Sequence, residues 1–464
     1  MSTNSDTLSR MNPTERRAAI SLAGIFALRM LGLFMILPVF ALYADELQGA
    51  TPALAGLAIG IYGMTQALLQ IPFGLMSDRI GRKPVIIGGL LLFALGSLVA
   101  AGADSILMVI LGRALQGSGA IAAAVMALTA DLTREQHRVK AMATIGMSIG
   151  ASFALAMVLG PLLNSWIGVP GIFALTAVLA LAGIAVVWWV VPNPVVSSVH
   201  RDAEPVPAQF AAVLKDTQLL RLDAGILILH MILTASFVAL PLVLRDNAGF
   251  APDQHWKLYL PVLLLSMPLM VPFIIRAEKY GRMKQVFVGA IATITIAQLA
   301  LFIFHNRLLS IAAALLVFYT GFNLLESILP SLIAKMAPPD SKGTAMGFYS
   351  SAQFFGAFLG GSIGGWLHGR FGLAAVFLFC CLAALVWLVI ALGMAQPRQL
   401  STRLLKVAVS DADGASQLAA RLAQVSGVAE AVVIADDGVA YLKVDPKQLD
   451  EQALGELVPA SPSL

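Results

Sequence analysis

Gly74-Leu75-Met76-Ser77-Asp78-Arg79-Ile80-Gly81-Arg82-Lys83-Pro84 sets two glycines and four charges between two long apolar runs. Apolar sequence on both sides places this stretch at a membrane surface, and its charge density points to a hinge or latch. The whole chain agrees with a membrane setting. Hydrophobic residues make up 58% and charged residues 12% of the 464 residues, against about 25% charged in ordinary soluble proteins. Most of this surface therefore faces something other than water. The 40 glycines suit helices that approach closely in lipid. The only two cysteines, Cys380 and Cys381, are adjacent within an apolar run and read as small packing residues. No zinc-type or redox spacing is present, so no metal and no cofactor is expected.

A helix needs about 20 apolar residues to span a bilayer. Working outward from the quoted stretch, apolar segments fall at 18–43, 54–76, 84–102, 105–130, 139–165, 170–192, 219–244, 256–276, 284–304, 307–335, 342–368 and 371–395. The expected fold is thus an all-α membrane protein of twelve transmembrane helices. With the N-terminus in the cytoplasm, nineteen Lys and Arg residues ahead of the tail fall on the cytoplasmic side, and only Arg245, Lys257, Arg307 and Arg370 on the other. That asymmetry fixes the orientation with both termini cytoplasmic. Pro192-Asn193-Pro194 opens a polar linker that includes Arg201 and Asp202. The expected domains are a cytoplasmic N-terminus (1–17), a six-helix half (18–192), a linker (193–218), a second six-helix half (219–396) and a soluble C-terminal domain (397–464). The halves repeat: Asp78-Arg79-Ile80-Gly81-Arg82 aligns without a gap on Glu278-Lys279-Tyr280-Gly281-Arg282. A parallel repeat of two six-helix halves is what a rocking transporter requires.

The chain resembles the major facilitator superfamily. The loop 2–3 motif is in place through Gly74, Asp78, Arg79, Gly81, Arg82 and Lys83, and the fourth-span motif through Arg113-Ala114-Leu115-Gln116-Gly117-Ser118-Gly119-Ala120. Arg29-Met30-Leu31-Gly32, Leu37-Pro38-Val39, Gly321-Phe322-Asn323-Leu324-Leu325-Glu326 and the tail are similar to bacterial inner-membrane drug/proton antiporters that carry an extra soluble domain. The fifth-span antiporter motif keeps Gly160-Pro161 but has Ala156 for one expected glycine and Asn164-Ser165 for a glycine pair. The resemblance implies a proton-coupled transporter in the bacterial inner membrane, exporting hydrophobic or amphipathic small molecules by alternating access. It also implies a proton-transfer role for Arg113. The alternatives are a proton-driven importer of a small solute, and a membrane-anchored sensor acting through the tail.

Polar groups inside spans are costly and so are functional candidates. Glu326 lies about 14 Å along its helix from Lys335, near mid-membrane. Tyr319, Asn323 and Glu326 share one face at i, i+4, i+7 spacing. Burial favours the neutral carboxyl and a nearby cation the charged one, so Glu326 is the leading proton-coupling candidate, with a helix–helix hydrogen bond as the plainer alternative. Arg113 and His230 are further coupling candidates, each with a structural pairing role as the alternative. Arg29, Tyr62, Gln66, Gln70, Gln116, Tyr349 and Gln353, with Tyr319 and Asn323, are candidates to line a substrate cavity; helix packing through amide hydrogen bonds is the alternative for Tyr62, Gln66 and Gln70. Gly117-Ser118-Gly119 is not a nucleophile elbow, there is no phosphate loop, and no enzyme constellation emerges. The expected partners are lipid, protons and a small-molecule substrate, with no nucleic acid.

Two contacts are expected of the opening stretch. Asp78 approaches the start of the eleventh span near Lys342, where the helix dipole favours a carboxylate, and Arg82 pairs with Asp131. Gly74 and Gly81 permit the close approach and the sharp turn; the alternative is that the charges only enforce topology. In the tail, strands at 404–409, 428–435 and 439–444, helices at 414–424 and 448–457, and a turn at Asp436-Asp437-Gly438 give the β-α-β-β-α order of a ferredoxin-like module. Its outline is similar to heavy-metal-associated domains. Its first loop, Asp411-Ala412-Asp413-Gly414, has no Cys-x-x-Cys, so the expected role is an intramolecular or protein contact.

Overall fold

The structure, a computed structural model, describes residues 11–194, 204–338, 341–396, 401–407, 409, 411–435, 438–445 and 448–457. Arg201, Asp202, Asp436 and Asp437, named above, lie outside these residues. The described chain is an all-α multi-pass membrane protein with a small β-containing region at its C-terminal end.

The N-terminal helices are α1 (Pro13–Phe34), α2 (Phe40–Tyr43), α3 (Pro52–Ile80), α4 (Arg82–Ala101), α5 (Ile106–Ser118), α6 (Ala122–Asp131) and α7 (Glu135–Trp189). Local chemistry fixes where they start. Asn12 and Glu15 form a capping box at α1, with bonds of 2.7 and 2.8 Å, and Pro13 sits at the first position, where its missing N–H costs nothing. Thr51 caps α3 ahead of Pro52, and Ser105 caps α5. Glu15 also takes the Arg134 guanidinium at 2.8 Å, tying α1 to the chain between α6 and α7.

After the linker come α8 (Phe210–Lys215), α9 (Thr217–Asp246), α10 (His255–Glu278), α11 (Met283–Phe304), α12 (Leu308–Met336), α13 (Lys342–Phe371) and α14 (Leu373–Leu392). Asp216 caps α9 by accepting from Gln218 N–H at 2.8 Å. Gly372, at φ 85°, separates α13 from α14.

The quoted stretch is tighter than a surface turn. Helix α3 runs on through Ile80, α4 begins at Arg82, and the reversal is made by Gly81 alone at φ 99°. A side chain there would be strained. The fourth span is interrupted at 119–121, between α5 and α6.

Among the described residues, ten helices are long and apolar enough to cross a membrane. The difference from the expected count has two physical sources. The expected fifth and sixth spans run together as the 55 residues of α7, with Gly168 in a non-helical conformation at φ 68°. The other is α13, 30 residues long, whose glycines and serines keep it out of the ten.

Two apolar cores organise the bundle. One packs α1, α4, α6 and α7 through residues such as Leu22, Phe26, Phe93, Val125 and Val187. The other runs across both sides of the linker, joining Ile36, Phe40 and Phe173 to Phe237, Tyr259 and Leu325. The join is closest between α3 and α13, which meet through glycine. A methyl group added at Gly361 would lie 2.5 Å from Gly56 O and 2.8 Å from Gly60 N; one at Gly60 would lie 2.7 Å from Phe358 O.

The C-terminal region holds β1 (Ser401–Lys406), α15 (Ala412–Leu422), β2 (Val428–Ile434), β3 (Val439–Val444) and α16 (Glu451–Leu457). The sheet is antiparallel in the order β1-β3-β2. β1 starts and ends earlier than expected, in register with β3 from Ser401↔Val444 to Lys406↔Val439. Ala440, Leu442 and Val444 pack with Leu422 and Leu454. Alternation sends Tyr441 and Lys443 to the opposite face, where both are buried. Lys443 Nζ donates to the Met336 carbonyl at the end of α12, 3.4 Å away, and lies 3.6 Å from Glu430. Burial pushes the Lys443 ammonium below the usual lysine range, with Glu430 opposing.

Candidate functional site

Three polar clusters lie along the bundle. The first surrounds Arg82, which is buried with a side chain 2% exposed. Its Nη1 pairs with Asp78 and donates to Ser77 Oγ at 2.9 Å. Its Nε faces Asp131 Oδ2 at 3.4 Å. Its Nη2 donates to both carboxylate oxygens of Glu204, each at 2.9 Å. Lys83 Nζ donates to the Val191 carbonyl at 2.6 Å, while Arg79 is exposed. Gly74 leaves room for Ala123, whose Cβ would be 2.9 Å from an added methyl.

The Arg82–Asp131 contact is therefore present. The expected docking of Asp78 on the start of α13 is not the contact seen: Asp78 turns to Arg82 across Gly81, at i,i+4. The start of α13 is instead met by the linker, where Val206 N–H donates to Thr344 Oγ1 at 2.9 Å. The second copy of the hairpin is looser. Glu278 pairs with Lys335 at 2.7 Å, but the side chains are 48% and 23% exposed.

The second cluster lies among the N-terminal helices. Arg29 Nη2 donates to Gln66 Oε1 at 2.6 Å and to the Gly119 carbonyl at 2.9 Å. That carbonyl lies at the interruption between α5 and α6, so the guanidinium covers the negative end of α5. Gln66 Nε2 passes to Gln70 Oε1 at 3.0 Å. Arg113 donates to Gln116 Oε1 at 2.8 Å and to the carbonyls of Ala58 and Ile59 at 3.3 and 3.4 Å, and Gln116 passes to Ser97 at 2.6 Å. Tyr62 lies between the two guanidiniums, 5.8 Å from Arg29 and 5.2 Å from Arg113, within cation–π reach. A charged residue at a helix centre costs about 2.5–3.5 kcal/mol by insertion scales, and these acceptors offset that cost. The expectation that Arg29, Tyr62, Gln66 and Gln70 line an open cavity is corrected here. Arg29 and Gln66 are 0% exposed and Tyr62 and Gln70 no more than 4%, because they are used in holding a buried cation.

The third cluster lies among α9, α12 and α13. His230 Nδ1 is 3.3 Å from the Ile226 carbonyl, so the neutral ring carries its proton there. Its Nε2 accepts from the Gln353 amide at 2.8 Å and lies 3.6 Å from Glu326 Oε1. Asn323 donates to Ser266 at 3.0 Å, and Tyr319 is buried in an aromatic group with Phe153 and Phe322. Tyr349, buried on α13, is within electrostatic reach of both Glu326 and Asp223. Glu326 Oε1 and Asp223 Oδ1 are buried oxygens with no hydrogen-bond partner among the described residues.

Glu204 and Asp223 were missed in the sequence. The signal for Asp223 was its place seven residues before His230 on one helix face. Glu204 had none beyond being an acid in a proline-rich linker, since its partner is distant in sequence. A small cavity of about 220 Å³ opens near Asp45, Thr51, Val238 and His368 and meets the three clusters only at Ile59, whose carbonyl accepts from Arg113. Among the described residues, no group of three or more His, Cys, Asp or Glu side chains is placed to hold a metal ion.

Comparison with known proteins gives these arrangements a family. The profile described as Major Facilitator Superfamily matches residues 22–277 and 225–408. The chain is 49% identical over 438 residues to the inner membrane transport protein YajR of Escherichia coli (strain K12), covering 94% of this chain and 96% of that one. It is 27% identical over 348 residues to the multidrug resistance protein MdtH of Proteus mirabilis (strain HI4320), covering 73% and 84% of the two chains. A bacterial homologue of the human lysosomal transporter Spinster, solved in an inward-facing and occupied conformation, superposes with TM-score 0.68 at 12% identity over 82% of this chain and 97% of that one, a likeness of fold alone. The chain belongs to the major facilitator superfamily; it is a transporter, not an enzyme.

Proposed function

From that membership, we propose that the chain is a proton-coupled secondary active transporter that exports hydrophobic or amphipathic small molecules from the cytoplasm of a bacterium across its inner membrane. The ten long apolar helices become twelve spans when α7 is counted twice across Gly168 and the glycine-rich α13 is included. They form two six-helix halves on either side of the linker, with both termini and the Arg82 end in the cytoplasm, as the Lys and Arg distribution requires. The halves rock to open a central cavity to each side in turn. The C-terminal region is a ferredoxin-like module without its last strand, and its Lys443 contact with the end of α12 supports an intramolecular role.

The observation that carries this proposal is Glu326: its side chain is 33% exposed, but its Oε1 is buried without a hydrogen bond, 3.6 Å from His230, on the helix that also carries Tyr319 and Asn323. Relatives with transport and multidrug-resistance names support small-molecule export. The test is flux in proteoliposomes under an imposed pH gradient, with a panel of lipophilic cations and small solutes. Gradient-driven extrusion is expected; accumulation in the importing direction would favour uptake. Loss of all measurable activity on deleting the tail, with the bundle intact, would favour a sensor.

A further inference from the structure

We infer that Glu204 is a gating residue, and that the linker segment carrying it is a latch joining the two halves at the Arg82 end. This rests on the alternating-access reading but adds a residue and a segment outside the family's loop motif.

The segment touches both sides of the linker within a few residues. Glu204 grips Arg82 of the N-terminal half through both oxygens at 2.9 Å. Two residues on, Val206 N–H donates to Thr344 on α13 of the C-terminal half at 2.9 Å. Pro205 lies between them against Gly347, where an added methyl would come within 3.0 Å of its Cγ and 3.9 Å of Ile71 on α3. Phe210 then meets Phe348 edge to face at 5.2 Å. A tether only has to span the gap between two halves. This one is inserted into it, between the end of α3 and the start of α13.

The chemistry of the grip supports a latch. Exposed ion pairs contribute little, but Glu204 and Arg82 are 3% and 2% exposed. Charge-assisted N–H···O bonds are shorter and stronger than neutral ones, and here Nη2 alone reaches both oxygens of the carboxylate. Arg82 is also the meeting point of α3 through Asp78 and of α6 through Asp131. Glu204 thereby fastens the linker to two helices at once. When this end opens, α13 moves away from α3 and the segment cannot keep both attachments. Its bonds therefore count only in the closed arrangement, and removing them favours the open one.

The test measures distance at this end by electron–electron spin resonance. Labels go at Lys140, at the start of α7, and Tyr280, beyond the end of α10, both exposed. The native Cys380 and Cys381 are replaced by alanine. Glu204→Gln is expected to raise the ratio of long to short distances about tenfold, because an amide removes one of the three carboxylates that hold the buried guanidinium, the one carried by the linker. Glu204→Asp is expected to restore part of the short population. Phe210→Ala, which leaves the charges alone, is expected to shift the ratio the same way by a smaller factor. An unchanged distribution in both Glu204→Gln and Phe210→Ala overturns the latch. If the unsubstituted protein shows both distances and the variants match it, the latch fails while alternating access stands. If it shows one distance and the variants match it, both fail.

Discussion

Adding one methyl group at Gly361 should open the bundle at the end away from Arg82. The α3–α13 contact there is backbone against backbone: an added Cβ would sit 2.5 Å from Gly56 O, 2.8 Å from Gly60 N and 2.9 Å from Gly60 Cα. None of these atoms belongs to a flexible side chain, so the helices must separate. Overpacking of this kind costs about 1–3 kcal/mol. If only the conformation closed at this end bears that cost, the open-to-closed ratio rises by roughly 5- to 150-fold, at about 1.4 kcal/mol per factor of ten. Spin labels at Trp166 and Leu309, exposed by 72% and 82%, would read the change as a longer distance. Gly88→Ala is the control, since an added methyl there meets nothing within 4 Å and should only improve helix propensity. Equal distance distributions in Gly361→Ala and the unsubstituted protein would refute the view that this contact is made and broken in the cycle.

Glu326→Gln should leave a folded, monodisperse protein whose flux no longer responds to an imposed pH gradient; retained wild-type pH dependence in proteoliposomes would remove Glu326 from the coupling role. Arg82→Lys should weaken closure at its end despite keeping the charge, because one ammonium cannot reach Asp131, Asp78 with Ser77, and Glu204 from three separate nitrogens as the guanidinium does; thiol accessibility from that side would rise. Asp78→Asn should act in the same direction more weakly, since its carboxylate is 23% exposed, and unchanged accessibility would reject its part in the gate. Lys443→Ala should free the C-terminal region for faster limited proteolysis from the bundle while flux persists; an unchanged cleavage rate would show that its contact with Met336 does not hold the region.

Much of this organisation was readable from apolar runs and charge. The presence of the apolar segments and the tail's element order follow from patterns local to a helix or strand, and the expected meeting of Arg82 with Asp131 joins the start of α4 to the end of α6. What was not readable has a common cause. Hydropathy stops at the first charged residue, but a helix does not, so α3 continued through Asp78 and Arg79 to Ile80 where a loop was expected. That extra turn sends Asp78 to Arg82 and away from α13. The interruption at 119–121 falls inside 105–130, which hydropathy reads as one span, since glycine serves both close packing and a break. The burial of Arg29 depended on a carbonyl at that interruption, from a residue ninety positions away. The role of Glu204 depended on a partner 122 positions away.

The buried charges divide between the halves in a way that bears on coupling. The acceptors of Arg29 and Arg113 are amide oxygens and backbone carbonyls, with the Tyr62 ring alongside. None of these is a carboxylate, so these partners leave the positive charge of both guanidiniums uncompensated. The C-terminal helices instead carry the carboxyls Glu326 and Asp223, each with one buried oxygen that has no hydrogen-bond partner among the described residues. If the proposed rocking changes the separation between these fixed cations and the two acids, it changes the field at the acids, because Coulomb interaction in a low dielectric falls off with distance and with entering water. Rocking would then move protons without a dedicated relay residue between the halves. It also explains why the latch belongs at Arg82: the same guanidinium that holds Asp78, Asp131 and Glu204 sets how long one arrangement of the halves persists before the other replaces it.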